Sequence, residues 1–204
     1  METEIAIIGS GPAGLSAAIA ATQTGANVTV LDENSRSGGQ LVKQIHKFFG
    51  EKENFAGMRG FDIGNHLFKE AIGLGARVRL DTVVWGLFPD STLGIVRKER
   101  VHSLHYGKLL IAAGASEKVI HFPGWTLPGV MGAGAAQTLM NVHRILPGKK
   151  ILMLGTGNMG LIVAYQLLQA GASVTMVEAL PEIGGYHVHA DKIRRAGVPV
   201  YLSH

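Results

Sequence analysis

The 204 residues carry 19 Lys and Arg against 15 Asp and Glu, a net charge of +4, with 47% hydrophobic and 17% charged residues; that balance describes a folded chain with a substantial core rather than a disordered one. The basic residues are scattered, with no cluster longer than pairs such as Lys149-Lys150 and Arg194-Arg195, so charge gives no support to a nucleic-acid-binding face. Cysteine is absent, which excludes disulfides, thiolate catalysis, Cys-ligated metals and a CxxC redox pair within these residues and fits a reducing cytoplasm.

The chain opens METEIAIIGSG, without the basic and apolar regions of a signal peptide, and no apolar run reaches the ~18 residues of a membrane span. Ile5–Ile8 reads as a short apolar strand that stops at Gly9. From Pro12 to Gln23 the apolar periodicity turns helical, and Pro12 suits a first helical turn, where its missing N–H is not needed. Gly25-Ala26 breaks that helix, and Val28–Leu31 is a second buried strand ending at Asp32 and Glu33. This is a βαβ unit, whose parallel strands require a right-handed crossover. Residues 34–59 read as irregular and Phe61–Leu74 as an amphipathic helix. Between Arg77 and Ile111 the runs RVRL, VVWGLF, LGIV, RVHSLHY and KLLI predict a small antiparallel meander returning to a buried strand. Pro123, Pro128 and several glycines mark a crossing segment, placing a first domain over 1–118 and a second over 119–204. Ala133–Leu146 then predicts a helix ended by Pro147-Gly148, followed by a strand at Ile151–Leu154, a helix at Asn158–Ala170 and a strand at Val174–Val177 that ends at Glu178.

The second half repeats the first at a constant offset, since 155 − 9 = 146. Gly9, Gly11 and Gly14 map to Gly155, Gly157 and Gly160; Gly25-Ala26 maps to Gly171-Ala172, Asp32 to Glu178 and Gly38-Gly39 to Gly184-Gly185. A repeat without register slip predicts two copies of one structural unit. Each copy is a Gly-x-Gly-x-x-Gly loop after a strand, opening a helix, with a carboxylate 23 residues beyond the first glycine. In that setting the glycines allow a tight turn, close approach of backbone to a pyrophosphate, and close helix–strand packing. The helix N-terminus offers unpaired N–H groups to the phosphates, and the carboxylate accepts from a ribose. Two such sites in one chain predict an enzyme that moves electrons between two dinucleotides, one a flavin and one a nicotinamide. The other reading of the same glycines is that they only shape βα turns.

Residues 7–18 (IIGSGPAGLSAA), with Asp32-Glu33, Gly38-Gly39-Gln40 and Leu110–Gly114 (LIAAG), resemble the two-dinucleotide-domain flavoproteins, which include thioredoxin reductase and the pyridine nucleotide-disulfide oxidoreductases. Residues 123–142 (PGWTLPGVMGAGAAQTLMNV) are similar to one branch, the α-type subunits of sarcosine oxidase, opine oxidase, hydrogen cyanide synthase and dye-linked proline dehydrogenase. The resemblance implies an α/β fold of two Rossmann-like three-layer regions, the first with an antiparallel meander insert and the second truncated. It implies FAD in the first copy. Gly9, Ser10, Gly11, Pro12, Ala13 and Gly14 would cradle the pyrophosphate, and Asp32 or Glu33 would hold the adenosine ribose. Gly39 and Gln40 would lie along the flavin, the backbone of Val84 would meet adenine, and Ala113 and Gly114 would close over the cofactor. Ala113 stands where the family often has Thr. The second copy, Gly155, Gly157, Gly160 and Glu178, would hold a nicotinamide dinucleotide, or ADP or ATP. The acidic stretch EALPEIGG at 178–185 disfavours a 2′-phosphate, hence NAD over NADP.

Two departures from that family set further expectations. Without CxxC the chain cannot run a dithiol-reductase cycle. After Tyr201-Leu202-Ser203-His204 the family's further strands and its returning Gly-Asp segment are missing, so the chain reads as C-terminally incomplete: either it is a fragment, or a partner subunit or self-association completes it. No catalytic base and no metal site can be named: His187 and His189 form an H-x-H pair without a third ligand, and His102 and His105 read as exposed. In QLVKQIHKFFG (40–50), Lys43 or Gln44 lines the cofactor cleft, or the segment is a basic loop with Phe48-Phe49 packed inward or against a partner. The expected function is that of an FAD-dependent oxidoreductase acting on an amine or imino acid or on NAD(H). The alternative is a non-catalytic nucleotide-binding or electron-relay subunit.

Overall fold

The structure, a computed structural model, describes residues 1–204, which divide into two units, Met1–Ala115 and Ser116–His204. The first unit runs β1 (Glu2–Ile8), α1 (Pro12–Gln23), β2 (Val28–Leu31), α2 (Gly60–Gly73), β3 (Arg77–Arg79), β4 (Thr82–Phe88), β5 (Thr92–Arg97) and β6 (Arg100–Ile111). Its sheet has the order β3-β2-β1-β6-β5-β4. The β3-β2-β1-β6 portion is parallel, with Ile5–Ile8 opposite Val28–Leu31, and β6-β5-β4 is antiparallel. Because successive strand residues point to opposite faces, Ile7 and Val30 pack with Leu15, Ala18, Ile63 and Leu67 of α1 and α2. Ala6 and Leu31 pack on the other side with Leu93, Ile95 and Leu104 of the meander. A side chain such as Leu15 or Leu31, fully buried, contributes ~1.5–3 kcal/mol. Both faces of the parallel strands are therefore covered, which explains why Val28–Leu31 is buried at every residue.

Four of the expected elements differ in detail. The first strand begins at Glu2, because residues ahead of Ile5 continue the pairing with β6. RVRL is not part of the meander: Arg77–Arg79 pairs in parallel with Thr29–Leu31 as the sheet's outer strand. RVHSLHY and KLLI form one strand, β6, whose first half pairs with β5 and whose second half pairs with β1. Within the irregular stretch 34–59 lie two short 3-10 turns, Gly39–Lys43 and Lys52–Asn54.

The second unit runs α3 (Ala133–Asn141), β7 (Lys150–Leu154), α4 (Asn158–Gln169), β8 (Ser173–Glu178), α5 (His187–Arg195) and β9 (Val200–Leu202). Its parallel sheet has the order β7-β8-β9. The three helices share one core with Met153, Val174 and Met176, in which Leu161, Leu167 and Ile193 are fully buried. Leu152 and Leu154, on the alternate face of β7, are exposed. The helix expected to reach Leu146 stops at Asn141. The N–H groups of His143 and Ile145 turn back to the carbonyls of Thr138 and Leu139, and Arg144 takes a positive φ of 60°, a conformation no helix continues through.

Candidate functional site

The first glycine loop joins β1 to α1. Gly9 has φ +102°, and a Cβ there would collide with the Ala112 carbonyl, just as one on Gly14 would collide with the carbonyl of Gly9. Only glycine allows both approaches. Gly39 stands against Gly11, where an added Cβ would lie 2.8 Å from the Gly11 Cα. Ser10, between them, is fully buried. Its N–H and its hydroxyl both donate to Asp32 Oδ2, at 2.6 and 2.7 Å. The N–H and side-chain amide of Asn34 donate to Asp32 Oδ1, both at 2.9 Å. Burial alone would raise the Asp32 carboxyl, but these hydrogen bonds outweigh it and hold the pKa below the ordinary range. Two donors on each oxygen saturate a carboxylate's four acceptor positions. Asp32 is thus a clamp on the loop. The neighbouring carboxylate, Glu33, is exposed.

The second loop copies this arrangement. Gly155 has φ +90°, and a Cβ on Gly160 would collide with the Gly155 carbonyl. Thr156, at the position equivalent to Ser10, donates its N–H and its hydroxyl to Glu178 Oε2, both at 2.7 Å, and the Leu180 N–H donates to Oε1 at 3.0 Å. The Thr156 hydroxyl, with the Leu180 and Thr156 N–H groups, lowers the Glu178 pKa. Thr156 carries no signal of its own in the sequence, although the 146-residue offset from Ser10 leads straight to it.

Helices α1 and α4 start at Gly11 and Gly157 with no side-chain cap and no acidic residue in the first turn. Their first-turn N–H groups and positive dipole ends meet no capping side chain. At α3 the equivalent groups are taken: the Ala133 and Gly134 N–H groups donate to the two oxygens of Glu117, at 3.0 and 3.1 Å. The sequence pattern gives no sign of that contact.

Among the remaining expected residues, Ala113 sits beside Gly9, because the Ala112 N–H donates to Ile8 at 2.7 Å and aligns the end of β6 with the loop. Gly114 follows with φ +76°. Gly39 and Gln40 open the 3-10 turn, and the Gly38 N–H donates to the Ser10 carbonyl at 2.8 Å. Val84 lies on β4, an edge strand with one row of backbone groups facing away from β5. Gln44 packs against Gly60 at the start of α2. Phe48 packs into the first unit's core, and Phe49 is exposed. His102 and His105 are exposed; Thr92 Oγ1 lies 2.9 Å from His105 Nδ1. His187 is exposed and His189 is buried on α5, where burial, and then Lys192, lowers its pKa. No group of three or more His, Asp or Glu is placed to hold a metal, and no helix is long and apolar enough to cross a membrane.

The family model for pyridine nucleotide-disulphide oxidoreductase matches residues 3–203. The chain is 32% identical over 179 residues to an opine oxidase subunit of Agrobacterium tumefaciens (strain Ach5), covering 82% of this chain and 35% of that protein. It is 29% identical over 212 residues to the alpha subunit of sarcosine oxidase of Rhizobium meliloti (strain 1021), covering 96% of this chain and 21% of that one. The crystal structure of L-proline dehydrogenase from P. horikoshii shares the fold, with a TM-score of 0.71 and 20% identity over 99% of this chain and 35% of that one. The chain thus spans about a third or less of the length of these two relatives.

Proposed function

The chain belongs to the pyridine nucleotide-disulphide oxidoreductase family, and from that premise we propose that it is part of an FAD-dependent oxidoreductase whose first glycine loop holds the FAD. The observation that carries this reading is the first loop itself. Gly9 and Gly14 fold the turn where a Cβ would strike backbone carbonyls, α1 opens without a cap, and an exposed carboxylate, Glu33, stands beside a saturated one. The α1 N-terminus, from Gly11 to Gly14, would take the pyrophosphate. Glu33 would take the ribose hydroxyls, Gly39 and Gln40 would lie along the flavin, and Ala113 and Gly114 would flank it. Bound there, FAD would supply a hydride acceptor. The chain's residues would hold and orient it.

The second loop is the proposed site of NAD, or of ADP or ATP. Glu178 and Glu182 set a negative field that rejects a 2′-phosphate. The names of the relatives, opine oxidase, sarcosine oxidase and L-proline dehydrogenase, support an amine or imino acid as the substrate class. Two of them are named as subunits, which supports a partner subunit for this chain too. The test is the visible spectrum of the chain after incubation with FAD and gel filtration. Retained flavin absorbance that is bleached by an amine or by NADH supports the proposal. Stabilisation by ADP with no flavin retained replaces it with the nucleotide-binding subunit. NADPH outcompeting NADH overturns the assignment of the second loop.

A further inference from the structure

A cavity in the first unit, about 510 Å³, is lined by Met1, Arg79, Ile95, Arg97, Lys98, Arg100 and His102. None of the glycine-loop residues borders it. Its volume lies in the ~300–1,000 Å³ range of small-molecule sites. Four cations face it and no carboxylate lines it. The chain's ion pairs are His66–Glu70 and Arg194–Asp191, so none of these four charges is neutralised.

Four local features mark strain or unmet polar groups around this charge. Arg97 and Arg100 are directly opposite on β5 and β6, and like charges in that register destabilise a sheet. The turn between them places Lys98 at φ +49° and Glu99 at φ +60°, where Asn-Gly is the unstrained choice. The Arg97 Nε–H is buried without a hydrogen-bond partner, a rare condition for so strong a donor. Arg79 directs Nη1 at the Met1 sulfur, at 2.8 Å, and a thioether is a weak acceptor. An oxyanion between these guanidinium groups would relieve the other three: it screens the opposed pair, offers Nε an acceptor and replaces the sulfur, while the turn keeps its geometry.

We propose that the cavity bounded by Arg79, Arg97 and Arg100 binds a compact, multiply charged oxyanion, carrying phosphate or carboxylate groups. Guanidinium forks match both geometries. A half-open cavity of this size fits a small ligand better than an extended polyanion, which needs a long basic surface. The site is independent of the cofactor assignment, since it shares no residue with either glycine loop.

The test is thermal unfolding and calorimetric titration of the full 204-residue chain with inorganic pyrophosphate and, separately, citrate. Saturable binding and a concentration-dependent rise in the midpoint are expected for at least one anion. Preference between the two separates phosphate from carboxylate ligands. Pyrophosphate could also settle at the glycine loops, so the titration is repeated on Arg100→Gln, an exposed position whose replacement leaves the fold intact, and on the Arg97→Gln/Arg100→Gln double variant. Arg100→Gln should weaken binding by roughly tenfold, the loss of one charged hydrogen bond, while leaving the anion-free midpoint equal or higher. The double variant should abolish binding. No binding of either anion at millimolar concentration overturns the proposal. So does binding of unchanged strength in Arg100→Gln, which would place the anion at the glycine loops.

Discussion

Replacing Asp32 tests the claim that its carboxylate clamps the first glycine loop. In Asp32→Ala the N–H and hydroxyl of fully buried Ser10 lose their acceptor, Oδ2, at 2.6 and 2.7 Å. Leaving a buried donor unpaired costs ~1–3 kcal/mol, so two cost about 4 kcal/mol. The Asn34 donors add little, because Asn34 is exposed and finds water. Asp32→Asn keeps one amide oxygen, which would turn to Ser10 and set its NH₂ against the two Asn34 donors, which turn to solvent instead. Its expected cost is about 2 kcal/mol, the charge assistance of the two Ser10 bonds. The assay is urea unfolding read by Trp85 fluorescence in a Trp125→Phe background, since the chain's two tryptophans fall one in each unit. The pH dependence gives a second reading. Asp32 has a folded-state pKa below its ordinary value, so its contribution is complete above the unfolded value of ~3.9 and is lost as pH falls through the folded value. The gap between wild type and Asp32→Asn should close over that same window. An Asp32→Ala chain within ~0.5 kcal/mol of wild type, the scatter of ordinary surface changes, would refute the clamp. So would Asp32→Asn costing as much as Asp32→Ala.

Glu33→Ala should leave urea stability unchanged and weaken FAD retention by roughly tenfold, the loss of a charged hydrogen bond; unchanged retention would return the ribose to Asp32. Gly14→Ala puts a methyl group on the Gly9 carbonyl and should cost about 3 kcal/mol or prevent folding, whereas Gly25→Ala, with open space but φ +87°, should cost ~1 kcal/mol. Equal midpoints for the two in urea unfolding would disprove the close approach. His189 is held neutral by burial and by Lys192. With its folded pKa lowered, its contribution is complete above the unfolded ~6.5 and is lost as pH falls. Unfolding of the second unit, followed by Trp125 in a Trp85→Phe background, should become easier between pH 7 and pH 5. His189→Leu should flatten that slope, and a slope that survives the substitution assigns the effect elsewhere.

The βαβ order and the 146-residue repeat were legible in the sequence because they follow from local signals: apolar runs of strand length, Pro12 at a helix start, and glycine at turns. The parallel role of Arg77–Arg79 was not, since a three-residue polar strand at a sheet edge has no periodicity to read. The early end of α3 was not legible either. It depends on Arg144 adopting φ 60°, a conformation that sequence gives no reason to assign to arginine. At the site, the glycines announced themselves, but the choice between Asp32 and Glu33 stayed open. Sequence shows two adjacent carboxylates; only packing shows that one has its acceptor positions filled by Ser10 and Asn34.

That distinction bears on what the repeat means. The two copies share the glycines and also the clamp, Ser10 with Asp32 and Thr156 with Glu178, down to the backbone N–H two residues past each carboxylate. A clamp that closes within the protein serves the loop's own folding, so its recurrence requires two loops of one geometry and does not require two ligands. What points to a ligand is what the clamp leaves over. At the first loop that remainder is an uncapped helix and an exposed Glu33. At the second, Ala179 stands where Glu33 would map, and the uncapped α4 remains. Pyrophosphate recognition is therefore supported equally at both loops, whereas a free ribose carboxylate beside the clamp is supported only at the first. Adenine nucleotides should accordingly bind the second loop more weakly than the first, and titrating ADP into Glu33→Ala should bring the two affinities together.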